Sequence, residues 1–552
     1  MTPELDFTMS AVDEYIEKIK FNPEHFKQPI LDRAGIVNLN PYFESLPPEL
    51  IDAIGMFPDI DYQVLDYLIY FLSNKVNTDN QSWLQEKLSY PQHLNQMYKI
   101  TPSGLIDQIA SLKLFDRLFG VAQLGPRLDF PVANTHSRAV HSISTTIDML
   151  RILQVLSDKS SEILELRLRK DFENEKFYDP EMSREAIFNL ATDICTFTGM
   201  LHDIATPAGG DAIKYFAHLD EEVDIEYLLF GSDSNLQLQR DELFAICKQR
   251  GLGIDHLKFI VNCIQGKSVS LIGDMIHPTK GDLLDQDRAA YTKGDAKSTS
   301  VLWHEIPKKL IPAKLPPKTI EILEACLNSI VETCSNEAVC ANSGVPIQYP
   351  SGKIYLGPRP SVSFIDPTDF YFLDKELRLV NSKPEILSWI AAFRTLVTVN
   401  YYIGYKLLGI ESELQGLLGT LSPEVIGDLF SKENLLGMTD EQLYSKIKQL
   451  GNKDLGYFVH SLRNRFNSCS YSGEIVDSDE DSPGSTSCAL AKFTIKFKPG
   501  LDSLILDDGQ IMTLKDYLLH HPDDRSTVLI NTGLKSKGRQ IVIRKVRSDQ
   551  AA

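Results

Sequence analysis

Apolar side chains recur at helical spacing through the central part of the chain. Ile143, Ile147 and Leu150 fall on one face of a predicted helix, and Ile187 and Leu201 mark the same kind of face in the next strong segment. Comparable helical patterns follow at 241–266, 318–334, 383–408 and 440–467, and a more polar, proline-broken pattern precedes them at 1–100. The pattern therefore predicts a mainly α-helical fold.

A charged stretch at 157–185 separates the two strongest helices. Its many acidic and basic residues favour a solvated excursion between them. Ser183 followed by Glu185 is typical of an N-cap and a first helical turn, which predicts where the second helix begins.

The period of the pattern changes near the C-terminus. Segment 471–487 is acidic and rich in small residues, so we expect a linker there. After it, Phe493, Ile495 and Phe497 alternate with polar residues, which predicts a half-buried strand. Further short strands are predicted at 503–506, 527–530 and 541–546. From residue 488 onward the chain has 11 Lys and Arg against 7 Asp and Glu, which indicates either the charged face of a small β-rich subdomain or a regulatory anion site.

The composition narrows the classes of partner. The 552 residues are 43% hydrophobic, enough for a folded core, and 56 Lys and Arg stand against 75 Asp and Glu, a net charge of −19. Such an acidic surface repels phosphate backbones and anionic lipid, so we expect no long nucleic acid and no membrane as a partner. A small polyanion would have to bind in a local pocket of arginine and lysine.

Cysteine usage and hydropathy indicate in which cellular compartment the protein works. The eight cysteines contain no C-x-x-C pair, which argues against a zinc ribbon or a disulfide framework and favours reduced core thiols. The N-terminal residues lack the basic and apolar regions of a signal peptide, and no stretch approaches ~18 uninterrupted apolar residues. We therefore expect a soluble cytoplasmic protein.

Two histidine clusters are candidates for holding a metal ion. His202 and Asp203 end the second strong helix, where one imidazole and one carboxylate could reach the same ion. A buried histidine paired with its neighbouring carboxylate is the alternative. In the segment THSRAVHS, Arg138 and His141 lie three residues apart on one helix face. That spacing puts a permanent cation beside a candidate ligand, which suits a metal-bound phosphate, although a polar helix start explains it equally well.

Two polar stripes lie on further predicted helix faces. They repeat the spacing i, i+4, i+8, with Asp287, Tyr291 and Asp295 in one, Arg394, Thr398 and Tyr402 in the other, and Arg288 beside the first. A solvated face explains such a stripe in general. The second stripe, however, stands in the apolar run AAFRTLVTVNYYIGY, where burying polar groups without a partner is costly. A binding pocket is therefore the sharper interpretation.

The order His141, His202-Asp203, Asp287 resembles the H…HD…D signature of the HD-domain metal-dependent phosphohydrolases. It is most similar to the deoxynucleoside triphosphate triphosphohydrolases, a branch that includes the SAM-and-HD-domain-containing enzyme and bacterial dGTPases. The supporting motif residues are Phe115, Arg117, Leu118, Gln123-Leu124-Gly125, Phe130-Pro131 and the stretch from His136 to Ser142. The similarity covers residues 100–300 well, and 380–410 through its spacing.

The resemblance implies an HD-domain helical bundle, here with a small β-containing C-terminal subdomain. Together with the patterns above, it divides the chain into an N-terminal helical region at 1–100, a hydrolase domain at 101–470, the linker at 471–487 and a C-terminal α+β subdomain at 488–552. Because the resembled family assembles, it also implies a homo-oligomer.

The resemblance assigns roles to individual residues. The metal ligands would be His141, His202, Asp203 and Asp287, a set that suits Mn, Fe, Co, Ni or Zn, with Mg²⁺ accompanying the nucleotide. Arg138, Arg288 and Arg394 would contact the triphosphate, Tyr291, Asp295 and Tyr402 would hold the sugar, and Gln123 and Leu124 would sense the deoxyribose. The implied reaction is attack at the α-phosphorus of a dNTP, which releases nucleoside and inorganic triphosphate.

The chain departs from the family at its proton-handling positions. Two family histidines that follow the His-Asp pair are here Thr206 and Asp211. The resemblance leaves Asp211 and His218 as candidate catalytic acids or bases, with Arg138 beside the phosphate. Two alternatives stay open: an HD-type hydrolase of another phosphoester, such as a nucleoside monophosphate or a nucleotide messenger, and a non-catalytic nucleotide-binding HD protein.

Overall fold

The computed structural model describes residues 29–38, 98–100, 104–123, 137–232, 236–298, 346–348, 354–356, 367–398, 405–459, 471–476, 489–495 and 497–545. In these ranges the chain is mainly α-helical, as predicted, and its strands form small sheets. No helix within them is long and apolar enough to cross a membrane. The predicted helix at 318–334 and most of the predicted helical region 1–100 lie outside the described residues.

The N-terminal and central elements are mostly helices. In chain order they are α1 (Pro29–Ala34), β1 (Ile36–Asn38), β2 (Tyr98–Ile100), α2 (Leu105–Ala110), α3 (Lys113–Asp116), α4 (Arg138–Phe172), α5 (Arg184–Leu201), α6 (Gly210–Phe216), α7 (Glu221–Phe230), α8 (Gln237–Gln249), α9 (Ile254–Ile264), α10 (Leu271–Ile276) and α11 (Gln286–Ser298). Strand β1 pairs antiparallel with β2, so the described part of 1–100 contains strands as well as a helix. Arg33 of α1 binds both carboxylate oxygens of the buried Asp193 on α5, at 3.0 and 2.7 Å, which ties this part to the central core.

The C-terminal elements mix helices and strands. In chain order they are β3 (Pro346–Gln348), β4 (Ile354–Leu356), β5 (Tyr371–Leu373), β6 (Leu379–Asn381), α12 (Pro384–Val397), α13 (Tyr405–Leu418), α14 (Pro423–Leu429), α15 (Lys432–Gly437), α16 (Asp440–Gln449), β7 (Tyr471–Val476), β8 (Ala489–Thr494), β9 (Leu504–Asp507), β10 (Gln510–Thr513), α17 (Leu514–His520), α18 (Arg525–Ser536) and β11 (Gln540–Lys545). Helices α13 to α16 form a second apolar core with α6.

Helices α4 and α5 form the centre of the molecule. The apolar faces predicted from periodicity are buried, since Ile143, Leu150 and Ile187 are all at most 2% exposed. Gly199 lets the two helices approach closely, because a Cβ atom there would lie 2.8 Å from the Cα of Thr146 on α4. Both helices therefore face each other along the segment that ends in His202.

The predicted solvated excursion at 157–185 is wrong in its first half. Helix α4 continues to Phe172, with one non-helical residue at Ser160, and it buries Leu164 and Phe172 in the central core. Most charged residues of this segment lie on its outer face, while the fewer apolar residues keep the helical period. Arg167 is an exception, since it is buried and pairs with Asp171 at 2.8 Å. The predicted N-cap is confirmed, because the Ser183 hydroxyl accepts a backbone N–H bond at the start of α5.

The C-terminal strands build two sheets. Strand β11 lies between β7 and β8, and it pairs antiparallel with each. Strands β9 and β10 instead join β5 and β6, since β6 pairs parallel with β9 in a four-stranded sheet of order β10-β9-β6-β5. The strands of the tail therefore belong partly to a sheet that is shared with the 367–398 segment. The predicted linker 471–487 begins as strand β7, and its remaining residues lie outside the described part of the chain.

One predicted strand is wrong. Residues 527–530 have β-branched side chains typical of a strand, but they lie in helix α18. Leu529 and Ile530 are buried, and α18 packs against α12, where Gly533 approaches Thr395 so closely that a Cβ atom would clash with it. Tertiary packing against α12 thus overrides the local β propensity.

Candidate metal centre

His202 lies directly after the last residue of α5 and has a defined orientation. Its Nδ1 is 2.7 Å from the carbonyl oxygen of Gly199, and because a carbonyl can only accept, Nδ1 donates. In the neutral ring the lone pair therefore lies on Nε2, the nitrogen that faces the other residues of the site. Burial lowers the pKa of His202, but the carboxylates of Asp203 and Asp287 outweigh burial and raise it.

Three side-chain atoms converge at this point. His141 Nε2, from the first turn of α4, lies 3.2 Å from His202 Nε2. Asp287 Oδ1, from the first turn of α11, lies 2.8 Å from His141 Nε2 and 3.3 Å from His202 Nε2. Both imidazoles are 1% exposed and the carboxylate 18%. The structure thus brings together three of the four residues that the sequence suggests as metal ligands.

This donor set fits a divalent transition metal. Around a metal with bonds of about 2.1 Å, neighbouring donors lie about 3.0 Å apart in octahedral and about 3.4 Å apart in tetrahedral geometry. The observed separations of 2.8, 3.2 and 3.3 Å fall near that range. Two imidazole nitrogens with one carboxylate suit Mn, Fe, Co, Ni or Zn. We therefore treat His141, His202 and Asp287 as the candidate metal centre.

Asp203 lies at the edge of the candidate metal centre. Its Oδ2 is 3.7 Å from His141 Nε2 and 3.8 Å from His202 Nε2, farther than the three converging donors are from one another. Arg138 donates to the same oxygen at 3.0 Å, with both side chains buried. Burial alone would raise the pKa of Asp203, but Arg138 and the two histidines hold it well below its ordinary value. Asp203 is therefore a carboxylate in an ion pair as well as a neighbour of the histidines.

His277 is a third histidine at the site that the sequence analysis missed. It follows α10, its Nδ1 donates to the carbonyl of Ile264 at 2.5 Å, and its Nε2 lies 3.5 Å from Asp287 Oδ2. Burial lowers the pKa of His277, but the carboxylates of Asp287 and Asp285 raise it to about 10. A sequence signal existed, because histidine is scarce and His277 stands only ten positions before Asp287.

The start of α11 surrounds Arg288 with acceptors. Asp285 caps this end, since its Oδ1 accepts the backbone N–H of Arg288 at 2.7 Å. The guanidinium of Arg288 donates to the carbonyl of Leu283 at 2.7 Å and lies 3.3 Å from Asp285 Oδ2. Burial raises the pKa of Asp285 to about 6 against the opposing charge of Arg288. Arg288 is thus held beside the candidate metal centre by groups of its own segment.

Tyr291 and Arg394 meet close to His141. The guanidinium of Arg394 donates to the Tyr291 hydroxyl and lies 4.9 Å from the centre of its ring. The ring centres of Tyr291 and His141 are 6.0 Å apart, and burial raises the pKa of Tyr291 to about 12. Asp295, one helical turn further along α11, is fully buried. The two polar stripes predicted from spacing therefore meet, while Tyr402 lies outside the described residues.

A network links the loop before α4 to the loop after Asp203. Asp440, at the start of α16, accepts the backbone N–H of Ala122 at 3.0 Å and that of Gly209 at 2.7 Å. Arg117 donates to the carbonyls of Thr206 and Ile204, at 2.9 and 2.5 Å. Burial raises the pKa of Asp440 to about 6, against its two backbone N–H bonds and the charges of Arg138 and Arg117.

The remaining candidates from the sequence have different outcomes. Gln123 is buried next to the Asp440 network, while Leu124 lies outside the described residues. Asp211 is the second residue of α6. His218 follows α6 as an exposed residue with a left-handed φ of 54°, whereas the candidate metal ligands are largely buried. The Thr206 hydroxyl donates to Asp203 Oδ1 at 3.4 Å, so position 206 supplies a neutral hydrogen-bond donor to this carboxylate.

Comparisons with known proteins give distant structural likeness only. No family model matches the chain, and neither does any curated protein. A solved phosphohydrolase from Bacteroides thetaiotaomicron is 14% identical, with a TM-score of 0.48 over 82% of this chain and 98% of that one. A hypothetical protein from Aquifex aeolicus is 13% identical, with a TM-score of 0.41 over 79% of this chain and 91% of that one. TM-scores below 0.5 at such identities do not establish a family for the chain.

Proposed function

We propose that this chain is a metal-dependent phosphohydrolase of the HD type. The observation that carries the proposal is the convergence of His141 Nε2, His202 Nε2 and Asp287 Oδ1 within 3.3 Å of one another. The buried guanidinium of Arg138 stands beside this group. Nitrogen and carboxylate donors next to a fixed cation are what a metal-bound phosphate requires.

The chain's own residues supply binding and orientation. His141, His202 and Asp287, with Asp203 close by, would hold a divalent metal, which would supply a Lewis acid for a phosphoryl oxygen and lower the pKa of a bound water. The hydrogen bond from His202 Nδ1 to the Gly199 carbonyl keeps the Nε2 lone pair directed at the site. Arg138 can donate further N–H groups to a phosphate while one of them stays on Asp203.

We propose a deoxynucleoside triphosphate as the substrate. The support is the motif order together with the meeting of Arg394, Tyr291 and His141, which puts a guanidinium and a tyrosine ring next to the donors. A ring packed beneath the sugar leaves no room for a 2′-hydroxyl. The oxygen of a water would form a bond to the α-phosphorus and lose a proton, the bond from that phosphorus to the 5′-oxygen would break, and the 5′-oxygen would take up a proton. Asp211 and His218 are the proton carriers that the resemblance implies.

A smaller phosphoester is the second candidate, and one observation favours it. Arg138 is already bound to Asp203, and Arg288 to Asp285, so two of the three arginines are partly neutralised. A triphosphate brings more negative charge than a phosphomonoester to a site that already holds several carboxylates. A nucleoside monophosphate, or a nucleotide messenger with less negative charge than a triphosphate, therefore suits this charge balance.

The test is a product assay on the full chain. The protein is incubated with each dNTP, NTP and dNMP, with Mn²⁺ or Mg²⁺, and inorganic triphosphate and phosphate are measured separately. Triphosphate release that is lost in His202→Ala and Asp287→Asn supports the first substrate, and phosphate release from monophosphates supports the second. His521→Ala is the matched control, because His521 also stands beside a carboxylate, Asp507 at 3.5 Å, but is 39% exposed. Turnover that is equal in all variants would refute the proposed centre.

A further inference from the structure

Helices α4 and α11 are joined a second time beyond the candidate metal centre. Lys293 Nζ of α11 lies 2.7 Å from Asp148 Oδ2 of α4. The two side chains are only 4% and 5% exposed, so this is a buried ion pair. Neither residue has a part in the proposed chemistry.

The two contacts define how the helices lie against each other. From His141 to Asp148 the rise along the axis of α4 is seven residues, about 10.5 Å. From Asp287 to Lys293 the rise along α11 is six residues, about 9 Å. Since His141 meets Asp287 and Asp148 meets Lys293, the helices run side by side in the same direction. The ion pair therefore lies about two turns from the metal donors, along the same interface.

The apolar packing of α11 does little to define this register. Its buried side chains next to Tyr291 are small, namely Ala289, Ala290 and Thr292. Small side chains make shallow ridges, and a slide of one residue along the helix, about 1.5 Å, changes their contacts little. The same slide would move Asp287 relative to His141 by more than half of a metal–donor bond length. The His141–Asp287 contact at 2.8 Å is directional but lies at one end of the interface, so a second directional contact further along α4 and α11 would hold the register between the two helices.

We propose that Lys293 and Asp148 are a positioning pair that sets the register of α11 on α4, and through it the spacing of His141 and Asp287 for the metal. The energetics favour this role over a purely stabilising one. A buried ion pair costs desolvation, and apolar residues of similar volume are often as stabilising or more so, whereas a charge pair specifies one register. The proposal rests on the proposed metal centre but not on the identity of the phosphoester.

The experiment separates register from stability. Metal-stripped full-length protein is titrated with Mn²⁺ by calorimetry, and the urea midpoint is measured in EDTA. The variants are Lys293→Met, the apolar double variant Asp148→Leu/Lys293→Met, and Lys293→Arg. The control is Arg151→Met. Arg151 lies on the same helix α4 and pairs with the exposed Asp369.

We expect Lys293→Met to lower both the urea midpoint and the Mn²⁺ affinity. The apolar double variant should regain the urea midpoint, while its Mn²⁺ affinity stays about 10- to 100-fold below wild type. Lys293→Arg keeps the pair and should bind Mn²⁺ within about twofold of wild type, as should Arg151→Met. If the single variant fails to fold, the double variant and Lys293→Arg still decide the question.

Recovery of both readouts in the apolar double variant would overturn the proposal, since the pair would then be merely structural. Wild-type protein that binds no Mn²⁺ would overturn it together with the proposed function. Wild-type protein that binds Mn²⁺ with the expected variant pattern, but hydrolyses no phosphoester, would refute the proposed function alone.

Discussion

Removing the guanidinium of Arg138 leaves Asp203 as a buried carboxylate without its nearest cation. Arg138 and Asp203 are 3.0 Å apart and their side chains are 9% and 6% exposed. Helix α4 carries a second Arg for comparison, since Arg151 lies 2.7 Å from Asp369, and the two side chains are 16% and 53% exposed. Chemistry and distance are nearly the same in the two pairs, so burial is the main difference between them.

The size of the effect follows from distance and dielectric. At 3.0 Å and an effective dielectric constant of about 20, two unit charges attract by about 5.5 kcal/mol, and losing one partner of a buried pair costs about 3–5 kcal/mol. An exposed pair contributes about 0–1 kcal/mol. We therefore expect Arg138→Gln to lower the free energy of unfolding by about 3 kcal/mol or more, and Arg151→Gln by less than about 1 kcal/mol.

The free energy of unfolding that Arg138→Gln loses must depend on pH in a definite direction. The folded-state pKa of Asp203 is held below the ordinary value of 3.8, so its carboxylate stabilises the fold above that pH and loses this contribution as pH falls. The difference between wild type and Arg138→Gln should therefore be largest at neutral pH. It should shrink below a pH of about 4, where the uncompensated carboxylate can take up a proton.

The assay is a double-mutant cycle for each pair, measured by urea unfolding in EDTA. Arg138→Gln is combined with Asp203→Asn, and Arg151→Gln with Asp369→Asn. We expect a coupling energy of about 2 kcal/mol or more for the buried pair and less than about 1 kcal/mol for the exposed pair. Equal coupling in both cycles, or a coupling for Arg138 and Asp203 that grows as pH falls, would refute the reasoning.

Three further outcomes follow from the same structure. Gly199→Ala should destabilise the fold by about 1–3 kcal/mol in urea unfolding, since the new Cβ would lie 2.8 Å from Thr146 Cα, whereas Gly416→Ala, with open space around it, should be neutral or stabilising. Mn²⁺ at about 100 times its dissociation constant should stabilise the wild type by about 2.7 kcal/mol in thermal unfolding and should leave the stability of His202→Ala unchanged. Equal stabilisation of both proteins by Mn²⁺ would contradict the site. Iodoacetamide should alkylate three buried cysteines only after unfolding, as read by peptide mass spectrometry, because burial raises their pKa, and rapid labelling of the native protein would be contrary evidence. These are Cys195, Cys247 and Cys263.

Much of the helical framework could be predicted because burial along a helix is periodic. The apolar spacing of Ile143, Leu150 and Ile187 reports which face is buried, and the structure confirms those faces. Local propensity was a weaker guide. Residues 527–530 are rich in β-branched side chains yet form part of α18, because their burial against α12 is a tertiary contact with no signal in the segment itself.

The sequence by itself determined that mainly helical elements would carry His141, His202 and Asp287, since spacing and order along the chain are local properties. Only the tertiary structure decided that these side chains meet, that His277 stands at Asp287, and that Lys293 pairs with Asp148. These contacts join residues from 10 to 146 positions apart, and each depends on where separate elements cross and turn. That crossing is set by the packing of the whole core, which no single segment encodes.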